Sequence, residues 1–551
     1  MPETSRPISL LDQFLPKSVT IFREGYRLAD LRADAVAGLT VAIVALPLSM
    51  AIAIASGVGP ERGLTTAIVG GFLVSLLGGS RFQIGGPAGA FIVLVAACVT
   101  AIGLPGLILA TFLSGLMLMV VGVLRLGTYI RFIPYPVTVG FTAGIAVIIF
   151  ASQLRPLFGL SLPGGEPAEF TAKLAALWAA RGTVTPAALA VALGSIAVIV
   201  GVKRWRPHWP GMLIAVGLGA AVAALGLPVA TIGSTFGELP RMLPAPGLPE
   251  LSMDAVREAL PWAASFTLLG AIESLLSAVV ADGMTGRQHR PNAELVAQGV
   301  ANIGSSLFGG FCVTGTIART ATNVRAGSRG PVSGMLHSVF LLTFMLVAAP
   351  LAAFIPLAAL AGVLAVVAWN MAEKEEFWSL VRSSKGDAMV VIVTFLLVVF
   401  RDLTEGIVVG FALGGLVFIR RMSEATEVQA HRADEELTGQ GDDVIVYRMR
   451  GAYFFGAAAL LGSVLNRIAD NPKAFVLDFS EVPLIDSSGA RSVALLGRKL
   501  ARNGGHLYLT GTSAAVRRVL LSQDVHEPDV SYLPDVAEAL AVARQAKGSA
   551  A

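Results

Sequence analysis

Charge is scarce in this sequence. Asp, Glu, Lys and Arg make up 14% of its 551 residues and hydrophobic residues 54%, whereas soluble domains carry about 25% charged residues. A soluble chain of this length would divide into several domains and need far more polar surface. Lipid is therefore the solvent for most of it. Cysteine is almost missing: Cys98 and Cys312 both fall in apolar runs, so no disulfide framework or thiolate metal site is expected. The sequence also lacks a carboxylate cluster of the kind a divalent metal requires, a Walker motif, and a His cluster or nucleophile–base pair within the apolar runs. No cofactor is expected, an enzyme fits poorly, and ATP is excluded as the direct energy source. The net charge of +4 comes from basic residues in short loops and does not point to nucleic acid. The first thirty-odd residues are polar and mixed, with Arg23, Arg27 and Arg32, and contain no cleavable signal pattern.

Glycine and proline are abundant, at 60 and 29 residues. Membrane helices tolerate both, and transporters use them to break helices. Apolar runs separated by Gly, Pro and charged breaks give about fourteen spans, from 36–56 to 404–420. Two short ones, 84–100 and 312–326, open on glycine-rich stretches: Gly85-Gly86-Pro87-Ala88-Gly89, and Gly309-Gly310 through Gly315-Thr316. They occupy matching places in two halves of seven spans. Because seven is odd, the halves are inverted, the arrangement in which broken helices meet at mid-membrane and form a site. The alternative is that these small residues simply allow close helix packing. The Lys/Arg bias, with Arg81, Lys203, Arg204, Arg206, Arg325, Arg329, Arg420 and Arg421 in loops of one side, puts both chain ends in the cytoplasm.

Four places carry chemistry. Glu273 lies about 18 Å into a helix opening at Pro261, counting 1.5 Å per residue. It is the one acid expected deep in a span. A carboxyl there must be protonated, paired or wetted, so it is read as a proton- or cation-coupling group or else as a structural cap. Arg319 falls in the first turn of a half-helix if Thr316 opens it. A helix start already favours an anion, and Arg319 would add to that, pair with Glu273 or snorkel to the cytoplasmic face. Gln83 through Gly89 would leave amides open at a second helix start. Asp486-Ser487-Ser488-Gly489 follows a strand and opens a helix, where Asp486 or Ser487 caps or a serine accepts phosphate.

Past residue 422 the composition changes. A polar, acidic linker over 423–442 precedes strands at Val444–Tyr447, Ala474–Phe479 and His506–Leu509. A helix over 488–502 shows Val493, Leu496 and Leu500 on one face. The reading is a small α/β domain over 443–551, after an N-terminal segment (1–35) and a membrane domain (36–422).

At Gly270-Ala271-Ile272-Glu273-Ser274-Leu275-Leu276 with Asp282-Gly283-Met284-Thr285-Gly286, and at Thr314-Gly315-Thr316-Ile317-Ala318-Arg319-Thr320 with Asn323, Gly327 and Pro331, the sequence resembles the sulfate permease family of anion transporters. That family also includes the motor protein prestin. The C-terminal part resembles its STAS domain (sulfate transporter and anti-sigma antagonist), and the likeness runs from about residue 25 to 540. It implies a polytopic α-helical membrane protein of fourteen segments in a 7+7 inverted repeat. A core bundle would move against a gate bundle by rocking or elevator-like alternating access, with a cytoplasmic α/β STAS domain attached. The family site maps to Pro47, Ser49, Gln83, Gly86, Pro87, Ala88, Gly89, Thr316, Ala318 and Arg319, with Glu273 as the coupling residue. Family members carry sulfate, bicarbonate, chloride or dicarboxylates, mostly as homodimers. Leu48 and Ile52 stand where many sulfate-type members have glutamine and an aromatic, and the sodium-coupled bicarbonate branch typically has Asp at the Glu273 position. The pattern is similar to bacterial proton-coupled carriers, which implies proton symport of a C4-dicarboxylate such as fumarate or succinate. The alternatives are a sulfate, bicarbonate or chloride transporter or exchanger, or a sodium-coupled carrier. The implied partners are a small anion, protons, the bilayer of a bacterial inner membrane, a second copy of the chain, and a regulatory protein at the STAS domain. A channel, an electromotile protein and an anion receptor are the rival classes.

Overall fold

The computed structural model describes residues 13–130, 134–162, 166–167, 169–207, 209–401, 403–424, 427–430, 444–454 and 474–548. The chain forms two compact units, 1–411 and 412–551.

In the first unit a short helix α1 (Lys17–Arg23) precedes the first membrane helix α2 (Leu28–Ala55). The second segment is α3 (Pro60–Thr65), a π-helical stretch at Thr66–Gly70 and α4 (Gly71–Leu77). The third is broken: strand β1 (Gly85–Gly86) and a 3-10 turn at Gly89–Phe91 lead into α5 (Ile92–Val123). The runs predicted as separate spans at 84–100 and 105–125 share α5, and Gly103 breaks it with φ 70° just ahead of Pro105. Next come α6 (Gly127–Ile130), α7 (Tyr135–Phe158), α8 (Phe170–Ala179), α9 (Pro186–Trp205), α10 (Gly211–Ala224) and α11 (Ile232–Phe236).

The second half repeats the plan. It contains α12 (Met253–Thr285), α13 (Pro291–Leu307), then strand β2 (Thr314–Gly315) leading into the half-helix α14 (Ile317–Arg325). It closes with α15 (Val332–Ala352), α16 (Leu357–Met371), α17 (Lys374–Ser383), α18 (Lys385–Phe400) and α19 (Leu403–Glu424). Each of the fourteen predicted runs thus carries helix. Eight described helices are long and apolar enough to cross a membrane by length and composition.

The inverted 7+7 repeat shows in the packing. The first segment, α2, packs on the eleventh, α15, and the eighth, α12, packs on the helix that holds the fourth, α5. With α4, α13 and α14 these form a core bundle. A second bundle joins α7 to α16 and α18, and α9 to α10 and α16. One close seam is α5 on α13, where Gly115 and Gly299 face each other. A Cβ on Gly299 would lie 2.5 Å from the Gly115 carbonyl oxygen, and one on Gly115 would lie 2.7 Å from that of Gly299. Small residues let helix backbones approach this closely.

In the second unit five strands run in the order β3 (Glu427–Ala430), β4 (Val444–Arg450), β5 (Ala474–Glu481), β6 (His506–Thr510) and β7 (Val530–Leu533). The last four are parallel, and β3 is antiparallel to β4. The three predicted strands and the helix α20 (Ser487–Arg502) are present, with Val493, Leu496 and Leu500 buried as predicted. Phe475, Leu477 and Phe479 pack toward α20 and α21 (Ala514–Leu521). The alternate residues Ala474 and Val476 pack toward α22 (Val536–Gly548), as period-two geometry requires. The predicted linker needs correction: α19 continues through Glu424, and β3 pairs within its span. The four residues Glu427 to Ala430 pair along β4 at the sheet edge, which composition alone does not reveal. The rest of the linker, 425–426 and 431–442, lies outside the described residues. Asp486 caps α20, its Oδ1 accepting the Gly489 N–H at 2.7 Å.

The α5–α13 seam makes a direct prediction. Gly299→Val adds bulk against backbone atoms and should destabilise the protein by about 1–3 kcal/mol. Thermal stability in mild detergent, followed by size-exclusion of the folded peak, should fall accordingly. An unchanged melting curve would mean that the seam opens freely.

Candidate functional site

The site is built on a crossing of two broken helices. β1 and β2 pair antiparallel, Gly85 opposite Gly315 and Gly86 opposite Thr314. The pairing extends by one step, since the Thr316 N–H donates to the Ile84 carbonyl at 3.0 Å. The two helices leave the crossing in opposite directions, so the positive ends of both point toward it. The amides of the first turn of α14 have no intrahelical partner.

Side chains from neighbouring helices hold the crossing. Ser274 of α12 accepts the Gly315 N–H at 3.2 Å and bonds Thr314 at 2.9 Å. One turn on, Ser277 donates to Thr320 at 3.0 Å, and Thr320 accepts the Ile84 N–H at 3.1 Å. Asn302 of α13 accepts from Val313 N–H at 2.9 Å and donates to its carbonyl at 3.0 Å. Asn323 donates to the Phe82 carbonyl at 2.9 Å. The sequence reading missed these residues. Their signal is present as Ser274 and Ser277 three apart, and as polar Glu294, Gln298 and Asn302 at four-residue spacing in an otherwise small and apolar helix.

Arg319 is the third residue of α14, whose N-cap is Thr316, so it sits in the first turn as predicted. It is only 1% exposed and is the sole buried Lys or Arg among the described residues. Its Nη2 donates to Ser49 Oγ at 3.1 Å and to the Pro87 carbonyl at 3.3 Å, joining α14 to α2 and to the approach of α5. Nε and Nη1 have no partner. A Cβ on Gly86 would lie 2.3 Å from Nη1. Ser49 is aligned by its own bond to the Ala45 carbonyl at 2.7 Å, beside the helix-interior Pro47.

Gln83 is buried with both amide atoms unpartnered, pressed on Gly315, where a Cβ would lie 1.5 Å from its Nε2. Pro87 and Ala88 are buried, Gly89 is half-buried, and Thr316 donates its hydroxyl to Ile84 O at 3.2 Å. Ala318 differs, being exposed on a face of α14 shared with Thr322 and Arg325. One face of the half-helix is therefore open, while the face of Arg319, Thr320 and Asn323 is sealed.

Glu273 is 4% exposed, and its Oε1 has no partner. No ion pair joins it to Arg319 among the described contacts, so the pairing considered from sequence is absent here. Nor is it the only deeply buried acid. Asp34 and Glu294 are 0% exposed. Both are accounted for by backbone: Asp34 accepts the N–H groups of Arg329 and Gly330, and Glu294 that of Ser80. The described residues bring together no His, Cys, Asp and Glu group that could hold a metal.

Residues 31–394 match the model of the sulfate permease family, and residues 437–527 match that of the STAS domain. The chain belongs to the sulfate permease family. Its similarity to the putative sulfate transporter YvdB of Bacillus subtilis is 40% identity, covering 90% of this chain and 94% of the relative. To the bicarbonate transporter BicA of Picosynechococcus it is 31% identical, covering 89% and 90%. The fold superimposes on murine Solute Carrier 26 family member A9, an anion transporter in the inward-facing state, with a TM-score of 0.84 at 19% identity, covering 99% of this chain and 96% of that one. The transmembrane domain of a cyanobacterial BicA covers 69% of this chain and 98% of its own, with TM-score 0.64 and 33% identity. The protein is thus a multi-pass membrane anion transporter of this family with a C-terminal STAS domain.

The site geometry predicts the effect of filling Gly86. Gly86→Ala places a methyl where Nη1 now lies, so the guanidinium must leave its position. Overpacking of this kind costs about 1–3 kcal/mol, or about fivefold in affinity at the lower end. Substrate KM should rise by that factor in a variant with a normal size-exclusion profile. Wild-type kinetics would place the anion away from Arg319.

Proposed function

We propose that the chain is a secondary active transporter of a compact inorganic oxyanion, sulfate or bicarbonate, bound at the crossing of the two broken helices. The observation that carries this reading is Arg319: a buried guanidinium with no acid paired to it and two donor groups unused. A buried charge without a counter-charge costs several kcal/mol, and an anion against Nε and Nη1 removes that cost. Both helix N-termini add positive potential at the same point.

The C4-dicarboxylate expected from the sequence loses ground. Its two carboxylates need two separated positive groups, and Arg319 is the only buried Lys or Arg among the described residues. Sulfate or bicarbonate concentrates its charge around one centre, which a single planar guanidinium binds with two donors. The names of the relatives, sulfate and bicarbonate transporters, agree with this choice. In this reading Ser49 and the Pro87 carbonyl hold the guanidinium, and Gln83 supplies the amide that completes the shell. Gly86, Ala88 and Gly89 keep the backbone close to the ligand, with Pro47, Thr316 and Ala318 forming the remaining wall.

Glu273 is the coupling residue in this reading. It is buried, has a free oxygen and is not tied to Arg319. Proton symport follows from charge: a neutral acid lets an anion occupy the same low-dielectric region, and an ionised one opposes it. The Lys/Arg bias supports cytoplasmic termini in an inner membrane. The family resemblance supports a homodimer and a regulatory partner at the STAS domain, with the membrane and STAS units separable near residues 423–442.

Tracer uptake into proteoliposomes tests both residues, with a panel of sulfate, bicarbonate, succinate and fumarate. Arg319→Ala should lower the affinity for the transported anion by about 100-fold or more, in line with the ~3–5 kcal/mol lost on breaking a buried charge contact. Glu273→Gln should keep anion exchange and lose accumulation driven by an inward proton gradient. Succinate uptake with no sulfate or bicarbonate uptake would return the substrate to the dicarboxylates. An unaltered proton dependence in Glu273→Gln would move Glu273 to a structural role.

A further inference from the structure

A cavity of about 770 Å³ lies between the core and gate bundles, and no residue of the crossing lines it. Its core wall includes Ala51 of α2 and Ile92 of α5. Ala51 lies one helical turn beyond Pro47, and Ile92 opens α5 four residues after Ala88. Its opposite wall comes from α7, α16 and the stretch 228–236. It sits on the face that the Lys/Arg bias assigns to the exterior.

Three charged residues line it: Arg155, Glu166 and Lys173. Lys173 Nζ lies 3.0 Å from Glu166 Oε1, so these two neutralise each other. Arg155, near the end of α7, is half-buried, and its guanidinium makes no hydrogen bond or ion pair to any described residue. Beside it Gln153 is 3% exposed and is held by the Ser152 hydroxyl at 2.9 Å. The cavity therefore carries one uncompensated positive charge between low-dielectric walls, an arrangement that focuses potential and concentrates anions.

We propose that this cavity is an external anion-capture vestibule and that Arg155 is its recruiting charge, loading the Arg319 site without belonging to it. The proposal rests on the transport reading above. Arg155 acts on the encounter of the anion with one face of the protein. It should therefore govern KM from that face at low ionic strength, with little effect on the maximal rate or on entry from the other side. Salt should erase the effect, because exposed charges are largely screened beyond about 10 Å at 0.1 M.

The potential can be read without knowing the substrate. Both native cysteines are buried, at 0% and 1% exposed, so an introduced thiol reports alone. Thr100 is an exposed lining residue on α5. Thr100→Cys should react faster with a sulfonate-bearing thiosulfonate than with its trimethylammonium counterpart. Adding Arg155→Gln should lower that ratio about tenfold, and Arg155→Lys should restore it. If Thr100→Cys does not fold, Ala97→Cys on the same wall serves. Zero-trans uptake of sulfate and bicarbonate provides the second readout: Arg155→Gln should raise KM about three- to tenfold from the vestibule side only, and the difference should vanish in high salt. An unchanged labelling ratio, or an equal KM rise from both faces, overturns the proposal. Arg319→Ala separates the two readings. It should leave the labelling ratio intact, and if it leaves transport intact as well, the substrate-site reading fails while the ratio still decides Arg155.

Discussion

Four residues of backbone, Gly85 and Gly86 against Thr314 and Gly315, organise the membrane unit. A two-stranded pair this short has no stability of its own. Within a bilayer-spanning bundle, every N–H and C=O it leaves open must be satisfied by protein. The buried polar residues of the core follow from that requirement: Ser274, Ser277, Thr320, Asn302 and Asn323 are all spent on this backbone. The π-helical stretch at Thr66–Gly70 serves the same end. Thr66 accepts the Phe311 N–H at 3.0 Å, and Val313 fills the space where a Cβ on Gly70 would sit. π-Bulges inside helices frequently mark functional sites, and this one lets the second segment pass the approach to β2.

The glycine-rich breaks were readable in the sequence because breaking a membrane helix requires particular residues. Gly85-Gly86-Pro87 and Gly315-Thr316 placed both half-helix starts, and Arg319 fell in the first turn as expected. Three of the five described strands of the C-terminal unit were equally plain, since an α/β sheet alternates two apolar faces at period two, whereas β3 and β7 were not read. What was not legible depends on distances between segments far apart in sequence. Nothing local tells that Glu273 and Arg319 form no ion pair, or that Ala318 is exposed while its neighbour Arg319 is sealed. Glu273 was the one acid expected deep in a span, yet Asp34 and Glu294 are buried as well. Their burial follows from loop amides at Arg329, Gly330 and Ser80, which no periodicity reports.

The same packing that fixes the site limits how it can open. The core seams are backbone-close, with Gly115 on Gly299 and with Gly38 so near α15 that a Cβ would lie 2.5 Å from the Ser333 carbonyl oxygen. Interfaces packed this way do not deform continuously. The crossing, its side-chain ties and Arg319 therefore form one closely packed unit. The wall that can yield is the one between bundles, where the structure already holds about 770 Å³ of open volume on one side. On the core side that volume is lined by Ala51, one turn from Pro47, and by Ile92 at the start of α5. One helical turn is about 5.4 Å, so along α2 the cavity wall at Ala51 lies near the anion position of the proposed transport reading. In the transport reading proposed above, alternating access would then need no rearrangement of the site, only a change in which face of the gate bundle the crossing meets.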